Sequence, residues 1–222
     1  MADIIVADDD PSIRAAVEMF LASEHHAVRT AANGAEALAA WRERRPQLMI
    51  LDVMMPIASG WDVCREIRAS DPVLPIILLT AKGEVRDKEI GFDSGADDYI
   101  VKPFSLREFI ARINAALRRG RALERDAACA KIGAYSIRSD KHLLVAPDGT
   151  ETALSQLETR LLAYLAARRG RVVSKEDMLS ACWGDKIPLS RTLDVFMSGL
   201  RKKMPLSPEA IKTVRGIGYK VS

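Results

Sequence analysis

The fold class predicted for this chain is an α/β doubly wound five-stranded parallel sheet followed by a smaller α+β winged helix-turn-helix domain. Three observations predict it. Up to residue 118, short apolar runs alternate with amphipathic stretches, as strands and helices alternate in a wound sheet. Four of those runs end on a polar group: residues 4–7 run into Asp8-Asp9-Asp10, residues 48–51 into Asp52, residues 76–79 into Thr80, and residues 99–101 into Lys102-Pro103. Beyond residue 130 the pattern becomes short strands, three helices and a terminal hairpin.

The elements follow in order. Asp10 as N-cap and Pro11 at the first helical position open a helix over residues 11–23. Residues 28–31 supply one more strand. Residues 34–44 form a second helix, with Ala35, Leu38 and Trp41 on one side. Residues 60–70, 85–94 and 105–118 give three more, the last with Leu106, Phe109, Ile110, Ile113 and Leu117 at helical spacing. Mixed charge and alanine over 118–130 read as a helix end running into a linker, so the expected division is 1–119, a linker 120–130, and 131–222. In the second part, Pro147-Asp148-Gly149 marks a turn between short strands. Ser155 with Glu158 makes a capping box before Leu157, Leu161, Leu162 and Leu165. Ser174 and Ser190 start the next two helices, and residues 211–214 and 219–221 flank a hairpin turn.

At 222 residues the chain suits two domains of about 100 residues each. No apolar stretch nears the about 20 residues that span a bilayer, and Met1-Ala2-Asp3 lacks the basic region of a secretory signal. Cys64, Cys129 and Cys182 are widely spaced and without metal-ligand pattern, which fits reduced thiols in a cytoplasmic protein. Residues 1–118 carry 14 basic and 19 acidic side chains, whereas 131–222 carry 16 and 9. That asymmetry suggests separate jobs, with a polyanion as candidate partner of the second part.

Strand ends of an open parallel sheet share one edge, where ligand sites form. Asp8, Asp9 and Asp52 would gather there with the Thr80 hydroxyl and the Lys102 ammonium. Carboxylate oxygens suit Mg²⁺, which would relieve their mutual repulsion. Lys102 can pair an added phosphoryl charge, and Thr80 can donate to it. Asp52 is the expected nucleophile. Pro103 leaves room for a cis peptide after Lys102.

Val6-Ala7-Asp8-Asp9-Asp10, Leu51-Asp52-Val53-Met54-Met55-Pro56, Leu79-Thr80-Ala81-Lys82 and Asp97-Asp98-Tyr99-Ile100-Val101-Lys102-Pro103-Phe104 resemble the receiver domain, flavodoxin/CheY-like in fold, of bacterial two-component response regulators. The resemblance implies phosphorylation of Asp52 by a sensor histidine kinase. It implies Mg²⁺ held by Asp8 (partly through water), Asp9, Asp52 and the Met54 backbone carbonyl, and a switch in which Thr80 moves toward the phosphate while Tyr99 swings inward. Met54 and Lys82 occupy positions that tune dephosphorylation lifetime in this family.

Leu154-Ser155-Gln156-Leu157-Glu158, Arg191-Thr192-Leu193-Asp194-Val195, Leu200-Arg201-Lys202-Lys203 and Thr213-Val214-Arg215-Gly216-Ile217-Gly218-Tyr219 resemble the OmpR/PhoB subfamily. A helix from Ser190 to Lys203 can enter a major groove while its basic groups meet phosphates, and Arg215 can reach the adjacent minor groove. The expected DNA contacts are Arg191, Thr192, Val195, Phe196, Arg201, Lys202, Lys203, Thr213 and Arg215. Phe196 stands where many members have histidine or tyrosine, and is expected against a thymine methyl. Gly199 inside a helix costs about 1 kcal/mol relative to Ala, pointing to close packing or a close DNA approach. The resemblance also implies a dimer surface with pairs Lys88–Glu108, Asp97–Arg112 and Asp98–Arg119. Expected partners are the kinase, double-stranded promoter DNA, a second copy on phosphorylation and, further, RNA polymerase; no membrane is expected. A haloacid-dehalogenase-type phosphatase would need an acid where Met54 stands, so no enzyme activity is expected beyond self-catalysed phosphotransfer and slow autodephosphorylation. The alternative is a DNA-binding protein whose receiver is a dimerisation scaffold acting without phosphate.

Overall fold

The computed structural model describes residues 1–81, 95–122, 129–183 and 191–221, without the side chains of 118–122, 129, 191 and 192. The chain divides into two compact units, Met1–Leu117 and Arg118–Ser222. In the first, β1 (Asp3–Ala7), β2 (Ala27–Ala31), β3 (Leu48–Asp52), β4 (Ile76–Ala81) and β5 (Asp98–Lys102) form one sheet in the order β2-β1-β3-β4-β5. Every adjacent pair is parallel. The order reverses at β1, so the crevice beyond its C-terminal end lies between Asp8 and the end of β3.

Both faces of this sheet are covered, which is why residues 4–7 of β1, 48–51 of β3 and 76–79 of β4 are apolar rather than alternating. Successive side chains still go to opposite sides. Ile5, Met49, Leu51, Ile76 and Leu78 pack with Val63 and Ile67 on one side. Ile4, Val6, Ile50, Ile77 and Leu79 pack with Phe109 and Ile113 on the other. The flanking helices are α1 (Pro11–Ser23), α2 (Gly34–Glu43), α3 (Gly60–Ser70) and α4 (Leu106–Ala122). Asp10 caps α1 by accepting from the Ser12 amide at 2.8 Å, as expected. Ser59 and Asp62 form a capping box on α3. The helix expected over 85–94 lies outside the described residues. α4 continues past the expected end at 118, to Ala122, with Arg119, Arg121 and Ala122 as good helix formers around the unfavourable Gly120 and no proline to stop it.

The start of α3 presses on the end of β3. The Gly60 amide donates to the Val53 carbonyl at 3.0 Å, and a Cβ on Gly60 would collide with the carbonyl of Asp52. Gly60→Ala is therefore expected to cost about 1–3 kcal/mol by overpacking, read as a lower urea midpoint.

In the second unit, β6 (Cys129–Ile132), β7 (Tyr135–Arg138), β8 (Leu143–Val145) and β9 (Glu151–Ala153) form an antiparallel meander. The expected turn before β9 is present, with Gly149 at φ +86°. β6 begins inside the stretch expected as linker. Helices α5 (Gln156–Ala166), α6 (Lys175–Trp183) and α7 (Arg191–Lys202) follow, α5 with its Ser155/Glu158 capping box. The residues between α6 and α7, including the expected helix start at Ser190, lie outside the described set. β11 (Ile211–Val214) and β12 (Gly218–Val221) make the expected hairpin, and β10 (Val172–Ser174) adds a third strand beside β12. Leu157, Leu161, Leu162, Leu165, Trp183, Leu193, Met197 and Leu200 are buried.

Among the described residues, Gly199 has nothing within 4 Å of where a Cβ would stand. Close packing among the described residues therefore does not explain it. Gly199→Ala is expected to raise stability by about 1 kcal/mol, its helix-propensity difference, in a urea titration.

Candidate functional site

The β1 and β3 ends bring Asp8, Asp9 and Asp52 together, one ligand atom of each lying within 4.8 Å of the others. Asp8 and Asp52 are buried and Asp9 is exposed. The Lys102 ammonium reaches across from β5 to Asp8 Oδ2 at 2.7 Å and Asp52 Oδ1 at 3.0 Å. The Lys102–Pro103 peptide is cis. The Asp10 amide donates to Asp8 Oδ1 at 3.0 Å, and Arg14 donates to the Asp8 carbonyl at 2.6 Å. Arg14 was not singled out in the sequence, where it reads only as a polar position on α1. Three carboxylates at this spacing, one of them open to solvent, are a donor set that fits a small hard cation.

Burial pushes the Asp52 carboxyl above its ordinary value; Lys102 opposes that push, while Asp8 and Asp9 add to it. The Lys102 ammonium is pulled down by burial, but its bonds to Asp8 and Asp52 outweigh this and hold it above its ordinary value. Lys102 thus contributes stability that is complete below pH 10.5 and lost as pH rises through the raised value. For Asp52 the sign is opposite: its ionisation costs the fold stability from pH 3.8 upward, fully so above the raised value. Asp52→Asn is therefore expected to raise the thermal midpoint at neutral pH in chelator, with the gain vanishing below pH 3.8.

Thr80, at the β4 end, is buried, its hydroxyl 3.4 Å from the Ala81 carbonyl. Tyr99 is only 7% exposed and packs on Trp61, ring centroids 5.7 Å apart. The tyrosine ring is thus buried. Trp61, on the first turn of α3, is the neighbour that sequence reading missed.

The charged residues expected at a dimer surface make contacts within the chain. Asp97 is 4% exposed, and its carboxylate binds Arg68 Nη2 at 2.6 Å and the Ile76 amide at 2.9 Å. It is a buried structural group, not a surface one. Arg112 pairs within the chain with Asp98 at 3.0 Å and Glu108 at 3.1 Å. Lys88 and the side chain of Arg119 lie outside the described residues.

Several expected DNA contacts also change. Phe196 is 7% exposed and packs on Trp183, centroids 5.7 Å apart, so it cannot meet a thymine methyl. It falls in the buried stripe Leu193-Phe196-Met197-Leu200. Arg201 folds back onto the hairpin, donating to the Ile211 carbonyl at 2.8 and 2.9 Å and to Thr213 Oγ1 at 2.7 Å. Lys203 is bound to Glu158 at 2.7 Å and to the Ala153 carbonyl at 3.1 Å. Val195 is half-buried, and Lys202, Thr213 and Arg215 are exposed. Arg191 and Thr192 begin α7, their side chains outside the described set.

Residues 4–114 match the family model of the response regulator receiver domain, and residues 149–221 that of the C-terminal domain of transcriptional regulatory proteins. The chain is 42% identical to the transcriptional regulatory protein AfsQ1 of Streptomyces coelicolor, over 100% of this chain and 98% of that protein. It is 39% identical to the DNA-binding response regulator MtrA of Mycolicibacterium smegmatis, over 98% of this chain and 95% of that protein. Among solved structures, DrrB, a Thermotoga maritima OmpR/PhoB homologue, superposes with a TM-score of 0.53 at 31% identity, over 100% and 99% of the two chains. A RitR mutant superposes with a TM-score of 0.81 at 22% identity, over 100% and 99%, which speaks to the fold.

Proposed function

The chain belongs to the OmpR/PhoB-type transcriptional response regulators, and we propose that Asp52 accepts a phosphoryl group from the histidine of a sensor kinase. The observation that carries this is the Lys102 ammonium bridging Asp8 and Asp52 at the sheet's switch point. An Asp52 oxygen attacks phosphorus, and the bond to the donor imidazole nitrogen breaks with its electron pair leaving on that nitrogen, which is then protonated. Lys102 balances the charge that the phosphoryl oxygens bring, and Thr80 is the hydroxyl placed on the neighbouring strand to donate to them. Asp8, Asp9 and Asp52, with the Met54 carbonyl, would hold Mg²⁺, which when bound supplies positive charge against the phosphoryl oxygens.

Phosphorylation then shifts the population toward a form that dimerises and binds two adjacent half-sites of promoter DNA about one helical turn apart. By the family resemblance the dimer contacts are Lys88, Asp97, Asp98, Glu108, Arg112 and Arg119, and exposed ion pairs of this kind set register more than affinity. α7, through Arg191, Thr192, Val195 and Lys202, enters the major groove, with Thr213 and Arg215 alongside. The protein works in the cytoplasm, has RNA polymerase as a further partner, and catalyses nothing beyond its own phosphorylation and slow dephosphorylation. Among the described residues no helix is long and apolar enough to cross a membrane.

A second reading has one observation in its favour. Tyr99 is already buried, against Trp61, as a receiver serving as a phosphate-independent scaffold would have it. Beryllofluoride with Mg²⁺ separates the two. A rise in dimer fraction and DNA affinity supports the switch, and no change in either supports the scaffold.

A further inference from the structure

α7 is tied to the terminal hairpin at both of its ends, through one tyrosine. In its first turn, the Asp194 carboxylate accepts from Lys175 Nζ at 2.6 and 2.8 Å, and from the hydroxyl of Tyr219 on β12. In its last turn, Arg201 is bound to the Ile211 carbonyl and to Thr213, and its guanidinium lies 5.8 Å from the centroid of the Tyr219 ring. Thr213 and Tyr219 are register partners in the hairpin. The Tyr219 side chain is thus buried between the two charged positions of the helix, and the hydrogen bond to Asp194 adds to the effect of burial in holding its phenol protonated. Lys175 extends the same cluster to the first residue of α6.

A DNA-facing helix has an obvious use for a cation in its last turn, and none for a carboxylate in its first, where phosphates would repel it. In this chain both groups are half-buried and bound within the unit, Arg201 by the hairpin and Asp194 by Tyr219 of the hairpin and Lys175 of α6. Bonds to phosphates tolerate a small rotation of the helix, because phosphates recur evenly and lysine and arginine chains are long. Hydrogen bonds to base edges do not tolerate it. A device that fixes helix to hairpin therefore acts on sequence discrimination more than on general affinity.

We infer that Asp194, Tyr219 and Arg201 are positioning residues that lock α7 to the hairpin, so that the helix and the Arg215 tip meet two adjacent grooves as one rigid reader. This rests on the proposed DNA-binding function. None of the three needs to touch DNA. The lock explains why Arg201, which the sequence offers as a phosphate contact, is spent on a carbonyl.

The test uses the full-length protein, a duplex that the wild type selects from a random pool, and a shuffled duplex of the same composition. Tyr219→Phe removes only the hydroxyl and keeps the ring, while Asp194→Asn removes the charge and keeps the shape. Each is expected to lose about ten-fold in the ratio of the two affinities, the size of one mismatched base pair. The salt dependence of binding stays unchanged, since no phosphate contact is lost. The double variant should fall close to Asp194→Asn alone, because the two substitutions break a shared contact. A lower thermal midpoint with an unchanged ratio in both single variants would make the cluster purely structural and overturn the inference. So would tighter binding of Asp194→Asn to both duplexes with no effect of Tyr219→Phe, the signature of a carboxylate that merely repels phosphate. A wild type that selects no duplex and does not separate selected from shuffled sequence would overturn the DNA-binding reading itself.

Discussion

Replacing Lys102 with methionine is expected to cost the fold about 3 kcal/mol and to slow phosphorylation of Asp52 by about 100-fold. The stability loss arises because the ammonium bridges two carboxylates, one of them, Asp8, with no solvent exposure. Removing one partner of a buried pair leaves the other charge without compensation. The figure sits at the low end of the usual range because 22% of the Lys102 side chain remains in water. The loss should shrink as pH falls, since protonating Asp52 removes part of the repulsion that Lys102 had masked, and should be partly restored by Mg²⁺. The kinetic loss has a separate origin: a charge placed to meet the phosphoryl oxygens is absent when they arrive. Urea titrations across pH and phosphorylation by acetyl phosphate measure the two effects independently. A variant as stable as wild type at neutral pH would mean that the bridge contributes nothing to the fold.

Arg68→Ala is expected to be costlier, about 3–5 kcal/mol, or a fall of roughly 12–20 °C in the midpoint of the receiver unit. Arg68 and Asp97 side chains are 12% and 6% exposed, and the guanidinium also donates to the carbonyls of Gly95 at 2.7 Å and Leu74 at 2.6 Å. Truncation leaves a buried carboxylate and two carbonyls without these donors. Asp97→Asn in that background should recover part of the loss, because the amide oxygen still accepts from the Ile76 amide and no charge is left buried. Were Asp97 a surface group, Arg68→Ala would cost within about 0.5 kcal/mol, so a melting curve decides between the two placements.

That contrast shows where the sequence was and was not legible. Asp8, Asp52, Thr80 and Lys102 could be gathered on paper because parallel strands share an edge, and the runs that deliver them are too apolar to be anything but central strands. Asp97 and Asp98 follow each other before the last strand and carry no local mark of burial. Only Arg68, returning from 29 residues away, identifies Asp97 as interior. Phe196 was legible and misread: with Leu193, Met197 and Leu200 it makes a stripe at helical spacing, which points to the core. Arg201 was not legible, since a long cationic side chain at a helix end looks the same whether it waits for phosphate or folds back on a carbonyl. β10, three residues long, is too short for its alternation to register.

The central claim is that Asp52 is the phosphoacceptor. Its most direct test is the intact mass of the protein after incubation with Mg²⁺ and acetyl phosphate, or with a cognate kinase, beside Asp52→Ala. One added phosphoryl group on the wild type, absent from the variant and from both proteins in chelator, is the predicted result. A wild type that takes up no phosphoryl group from either donor, or an adduct that persists in Asp52→Ala, would contradict it.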